Sequence, residues 1–285
     1  MKQKKIVAVS FFMAFFSIIV FLCSFFFEDR TMEKGVESAL VNPKNKEKIY
    51  FVEFSKNGEN LLLKKNENFW YCSGNGIFTF ADEEKIEKFL SALTKIRTVY
   101  KVLDSERENF DMDSFQISNF RVSLFSSSGE VLGILYFGKT DSLTSRIIFS
   151  SKNGRIVFET EDDFSSFLNM TVDFWVKMEI FFGVKNPSNL NFSPDKLHLL
   201  YSLRHGKTKS LSELPVGAKQ LKGFTVYGQF QDYHTIEIYE YESNGRSEYF
   251  YRQNVSSSKE EDRAFFELSG ITYMTLCNLL NEQRK

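Results

Sequence analysis

Gly74-Asn75-Gly76 is the segment that most invites a chemical reading, as a glycine-rich cradle for phosphate. Such a cradle must open onto a helix whose unsatisfied N–H groups face the anion. Here Ile77-Phe78-Thr79-Phe80 follows, so a hairpin turn is expected instead. The acidic run Glu159, Glu161, Asp162 and Asp163, and the pair Asp111 and Asp113, could gather oxygens around a hard cation. That chemistry needs several convergent oxygens, and neither run has the Asp-x-Asp-x-Asp-Gly loop pattern. Solvation, and for Asp162 the start of a short helix, account for these charges. His198, His205 and His234 are the only histidines, and none stands at the spacing of a metal-binding pair. His198 falls beside the apolar face of a candidate helix, and His205 precedes Gly206 at its end, where a partly positive ring suits the dipole. No serine lies in Gly-x-Ser-x-Gly, and no cysteine has an evident histidine partner nearby. The sequence therefore predicts no catalytic residue, no metal site and no cofactor; it does not read as an enzyme.

Cysteines and aromatics add binding chemistry rather than reactivity. Cys23 lies inside an apolar run, which leaves Cys72 and Cys277 as the only intrachain pair outside it. Their spacing decides neither a disulfide nor two free thiols, and it makes no zinc motif. Trp70, Trp175 and the tyrosines Tyr239, Tyr241, Tyr249 and Tyr251 could form a recognition surface. In alternating strands one row of such tyrosines must face away from the core that the other row packs on. Core or sheet cover is the expected role for most of them.

What positions these residues begins with the N-terminus. Lys4 and Lys5 precede Ile6–Phe27, a stretch with no charge and no proline. As a helix it would span about 33 Å, enough to cross a bilayer core of roughly 30 Å. The lysines on its N-terminal side place the tip in the cytoplasm and residues 28–285 outside it. A cleaved signal peptide is the competing reading, but the run is long and no small-x-small site follows it. Val20-Phe21-Leu22 ahead of Cys23 likewise lacks the small residue that lipoprotein processing needs. Of 36 Lys+Arg, three precede this run, against 37 Asp+Glu in all, so the outer portion is mildly acidic. That balance argues against nucleic acid as a partner.

Residues 28–46 read as a polar linker, 47–177 as a first module and 178–285 as a second, shorter one. Asn57-Gly58, Asn153-Gly154 and Asn244-Gly245 predict tight hairpins between alternating runs. Asp82 caps an amphipathic helix whose inner face is Ile86, Phe89, Leu90, Leu93 and Ile96. A short helix from Asp162 carries Phe164, Phe167 and Leu168 inward. Ser193-Pro194 starts a further helix that Gly206 ends, and a last one runs from Ile271. The strand-turn-strand segments near 121 and 235, and the strand-helix segments near 155 and 263, suggest an internal duplication. The expected fold class is α+β: a transmembrane helix, then two related modules of antiparallel sheet covered by helices.

The order of a strand carrying Phe69-Trp70, a capped helix ending LSALTKIR, the segment NFDMDSFQISNFRVSLFSSSGEVLGILYFGK and the strand-helix IVFETEDDFSSFLN resembles the DUF4340 family of bacterial membrane-anchored proteins. The likeness covers roughly 47–180 and weakens beyond. At Asp173–Ile180, where that family carries a Phe-Arg-Asp-Lys-like stretch, Phe174 and Lys177 remain while Trp175 and Val176 intervene. The resemblance implies architecture and context, with no catalytic group among its motifs. It implies an extracytoplasmic, non-catalytic accessory subunit on the bacterial cytoplasmic membrane, beside a gliding-motility-type ABC transport complex whose subunits would be its partners. A module that binds an envelope ligand or polymer is the alternative.

Overall fold

The computed structural model describes residues 35–66, 69–104, 117, 120–141, 143–151, 156–181, 192–227, 233–256 and 263–281. In chain order the first unit is β1 (Val36–Ser38), β2 (Phe51–Lys56), β3 (Glu59–Asn66), β4 (Phe69–Gly74), β5 (Ile77–Phe80), α1 (Glu83–Thr94), β6 (Arg97–Asp104), β7 (Phe120–Phe125), β8 (Val131–Asp141), β9 (Arg146–Ser151), β10 (Ile156–Glu161) and α2 (Val172–Trp175). The second is α3 (Pro194–Ser202), β11 (Thr208–Ser210), β12 (Lys219–Tyr227), β13 (Tyr233–Ser243), β14 (Arg246–Val255), β15 (Ala264–Leu268) and α4 (Gly270–Asn281). Three Asn-Gly turns set the register of their hairpins. Asn57 and Gly58, Asn75 and Gly76, and Asn244 and Gly245 all have positive φ. That left-handed pair matches the twist of the flanking strands. Asn153-Gly154 lies outside the described residues.

The strands form two antiparallel sheets. The larger has the order β1-β6-β10-β9-β8-β7-β2-β3-β4-β5, and the smaller β11-β15-β14-β13-β12. Strands hold 51% of the structure and helices 24%, which corrects the expected α+β class to a mainly antiparallel β-protein. The reason lies in the segments read as covering helices. After Asp162 the chain makes only a 3-10 turn, Ser165–Phe167, and the four-residue α2. Asp162 accepts hydrogen bonds from the amides of Phe164 and Ser165, which closes a turn rather than opening a long helix. No described helix is long and apolar enough to cross a membrane. The predicted anchor, with Lys4, Lys5, Ile6 and Phe27, lies outside the described residues.

The order β6-β10-β9-β8-β7 repeats as β11-β15-β14-β13-β12. In both, a helix leads into the first of five strands, and that strand pairs with the last. The segments near 155 and 263 occupy the same place, β10 and β15. Those near 121 and 235 do not: one forms β7 and β8, the other β13 and β14. Strands β2 to β5 extend the larger sheet beyond β7, whereas β12 is the edge of the smaller sheet among the described residues. Within 28–46, read as a linker, the chain supplies β1, which pairs with β6 through Val36 and Val99.

The inner face of the larger sheet is buried mainly by α1. Asp82 accepts a hydrogen bond from the Lys85 amide, and Glu83 and Glu84 complement the positive end of the helix. Ile86, Phe89, Leu90 and Leu93 are buried, but the helix stops at Thr94 and leaves Ile96 63% exposed. Trp175 packs beside them, its ring 5.2 Å from Phe54 and 5.8 Å from Phe89. Its indole N–H donates to the Asn169 carbonyl at 2.9 Å, so its polar edge is satisfied in the core. Arg97 ties the end of α1 to the end of β10, donating to the carbonyls of Ala92 and Glu161 and to Asp163. Desolvation pushes the Asp163 carboxyl up, but the Arg97 and Lys95 contacts outweigh it and hold it below its ordinary value.

One core cluster runs from Phe54, Phe89 and Trp175 to Leu200, Ile236 and Tyr251, so residues of both sheets share it. Trp175→Ala is expected to cost about 3–5 kcal/mol of stability. Exposed Tyr233→Ala should stay within about 0.5 kcal/mol of the parent. Urea unfolding followed at Trp70 and by circular dichroism checks this, and the two probes should report one shared transition. An alanine at 175 that leaves stability intact would remove Trp175 from its central place.

Candidate functional site

The cover over the larger sheet thins toward its β1 edge. Register places Lys101 opposite Phe158, Phe158 opposite Phe149, Phe149 opposite Phe137, and Phe137 opposite Phe120. A cation thus ends a cross-strand row of four phenylalanines. At the far end of the row Phe54 of β2 lies beside Phe120, ring to ring 6.1 Å, and Phe164 covers Phe137 at 5.3 Å. Beyond them Phe149 and Phe158 stack on each other at 5.5 Å. Here Ser38, Ala39 and Leu40, where the chain leaves β1, line one side of an open cleft of about 310 Å³.

Val36, Leu40, Val99, Phe149 and Phe158 give this cleft apolar walls. Ser38, Ser151 and Lys101 are its polar side chains. Among the described lining residues Lys101 is the one ionisable group, and it has an interaction partner of its own. The cleft suits binding: an apolar concavity with a few placed polar groups. A second hollow of about 450 Å³ lies beside Lys56, Asn57 and Glu59, which are exposed residues at the β2–β3 turn. It is the poorer candidate because its polar lining has water as a ready alternative partner.

The residues singled out in the sequence lie elsewhere. Gly74-Asn75-Gly76 is the β4–β5 turn. Glu159 faces Arg146 at 3.4 Å, and Asp163 is held by Arg97 at 2.6 Å. Asp111 and Asp113 are outside the described residues. Among the described residues no group of three His, Cys, Asp or Glu side chains is placed to hold a metal ion. Cys72 is buried and Cys277 half-buried, and both are free thiols. Burial pushes the Cys72 thiol far above its ordinary value, which makes it a poor nucleophile. Trp70, Trp175 and Tyr251 are core residues, and Tyr249 stacks on Tyr273 at 3.8 Å. Tyr227 and Tyr233, opposite each other at the β12 edge, are the exposed tyrosines.

Two of the histidines are structural. His198 is exposed on α3, which ends at Ser202 rather than at Gly206. Gly206 instead donates its amide to the Glu267 carbonyl, in close contact with β15. His234 is buried with its Nδ1 2.7 Å from the Gln253 amide nitrogen. Tyr251 stands 3.0 Å from Gln253 Oε1 and donates to the Ile180 carbonyl. His205 lies between the carbonyls of Gly206 (2.8 Å) and Lys177 (2.7 Å), with Phe266 against its ring. Burial pulls its pKa below the ordinary 6.5, opposed by the two carbonyls and more weakly by Asp173 and Glu179.

The cleft was not legible in the sequence. Lys101, Phe149 and Phe158 come from three strands, and only the β6-β10-β9 pairing brings them together. No protein-family model matches this chain, and neither does any curated protein or solved structure.

Because the fold holds His205 neutral where the unfolded chain would take a proton, its contribution is full above the ordinary value of 6.5. It is lost as the pH falls through the lowered folded value. His205→Gln should therefore lessen the drop in melting temperature between about pH 7.5 and about pH 5.5. A drop of the same size in parent and variant would show that His205 does not contribute to the acid sensitivity.

Proposed function

We propose that this chain is a non-catalytic binding module held at the outer face of a bacterial cytoplasmic membrane, with the cleft beside β1 as its ligand site. The observation that carries the reading is the lining of that cleft, whose described residues are six apolar side chains, two hydroxyls and one ionisable group, Lys101. A site built this way suits holding and orienting a ligand. The address comes from the sequence, in which the apolar run Ile6–Phe27 with Lys4 and Lys5 before it supplies an anchor and a direction. The likeness to DUF4340 proteins adds a context beside a transport complex.

A second reading, an accessory subunit of an ABC-transporter-associated complex, is favoured by one feature. Tyr227 and Tyr233 are 54% and 51% exposed and pair across β12 and β13, at the edge of the smaller sheet. Exposed tyrosines are common anchors of protein interfaces. Purification in mild detergent separates the readings: transporter subunits that co-purify with the parent and are lost with Tyr227→Ala plus Tyr233→Ala favour the subunit.

Leu143, 94% exposed on the β8–β9 turn, offers a topology probe. Leu143→Cys should react with a membrane-impermeant maleimide in intact cells, whereas Lys2→Cys should react only after permeabilisation. The opposite pattern would overturn the placement outside the cytoplasm.

A further inference from the structure

The outer face of the smaller sheet suits a different ligand from the cleft, and we infer that it binds an extended, neutral β-linked oligosaccharide laid along β13. The inference takes from the reading above only that residues 28–285 face the envelope. Along β13, His234, Ile236 and Ile238 are buried, and Tyr249 of β14, on the same side of the sheet, stacks on Tyr273 of α4. Helix α4 therefore covers that side. Tyr233, Thr235, Glu237, Tyr239 and Tyr241 alternate with the buried row and face the other way. Register sets Tyr227, Thr225, Gly223 and Gln220 of β12 opposite the first four of them. None of these paired residues is aliphatic. Tyr227 and Tyr233, opposite each other, are both more than half exposed.

That composition chooses among occupants. A protein partner would want apolar side chains at the centre of the patch, and here the centre is Thr235, Glu237 and Gly223. Charges are few and of both signs, with Glu237 opposite Arg252, so the face does not select a polyanion. A sugar ring offers C–H groups on its faces and hydroxyls around its rim. Tyrosine rings suit the faces, and the side chains of Gln220, Thr235 and Glu237 suit the rim. Tyr239 is already held in place, its hydroxyl donating to Glu237 at 3.0 Å, which lowers the cost of ordering it around a ligand. From Tyr233 to Tyr241 the strand runs roughly 27 Å. An extended β-1,4-linked chain can follow that line, whereas a coiled α-1,4-linked chain leaves it.

The test is calorimetric titration of the full chain, in a detergent without a sugar head group, with two β-1,4-linked probes. These are cellotetraose and the tetramer of N-acetylglucosamine; α-1,4-linked maltotetraose is the control. At least one β-linked tetramer is expected to bind, and maltotetraose is not. Tyr227→Ala plus Tyr233→Ala should weaken that binding about tenfold or more, the scale of two lost stacking contacts. Tyr227→Phe plus Tyr233→Phe, which keeps both rings, should hold it within about threefold of the parent. Failure of both β-linked tetramers to bind, or binding that survives the alanine pair, would overturn the inference. Transporter subunits captured through Tyr227 and Tyr233 by a chain that binds no tetramer would overturn it too, and give the face to a protein. Tetramer binding by a chain whose Leu143→Cys reacts only after permeabilisation would leave the site standing and remove its placement outside the cytoplasm.

Discussion

Trp175 packs against Phe54 of the larger sheet and Phe89 of α1, and most of the molecule is arranged to keep it there. The Trp175 carbonyl accepts from the Asp82 amide at 2.6 Å, and Val176 bridges to Ala81, so α2 is stitched to the start of α1. Lys85 strengthens the same corner by donating to the Phe174 carbonyl while its ammonium lies 4.7 Å over the Phe174 ring. A sheet of ten strands offers far more apolar face than one twelve-residue helix can cover. Phenylalanine therefore does part of the covering that helices do elsewhere. The Phe167 ring packs on Phe89 of α1, and the Phe164 ring covers Phe137.

The smaller sheet is bound to the larger by polar contacts at buried positions as well as by apolar packing. Tyr251 reaches the Ile180 carbonyl, His205 the Lys177 carbonyl, and Asp173 the Thr208 amide. Each joins α2 or the segment after it to the second unit. Farther along, the Arg263 amide donates to the Phe78 carbonyl at the β5 edge. Tyr71 and Phe80 there share a small cluster with Val255 of β14. Buried polar groups are costly unless paired, so these contacts fix how the units meet more narrowly than greasy contact alone would.

The cleft is a consequence of the same shortage of cover. Among the described residues, the phenylalanine row continues past Phe164 and α1 beneath the chain leaving β1 and ends at Lys101. An incompletely covered apolar face on an otherwise packed sheet is the natural place for a ligand. The repeated strand order shows a related asymmetry: the larger sheet continues past β7 into β2, whereas among the described residues the smaller one has β12 at its edge.

Local chemistry was legible in the sequence, and long-range cover was not. The Asn-Gly turns at 57 and 75 and the Asp82 cap depend on residues adjacent in the chain, and pattern alone located them. Ile96 shows the limit, since it keeps the helical spacing but lies beyond Lys95, whose extended backbone ends the helix. The balance of helix and strand was misjudged because Phe164 and Phe167 repeat at helical spacing, while Asp162 closes a turn beneath them. Lys101, Phe149 and Phe158 carry no shared signal, being far apart in the chain and set side by side only by hydrogen-bonded register. By itself the sequence determined the turns, the first helix and the inward rows of single strands, because those follow from neighbours within a few residues. Only the tertiary structure decided which strands pair, where cover runs out and hence where a ligand can sit, because those depend on contacts between residues distant in sequence.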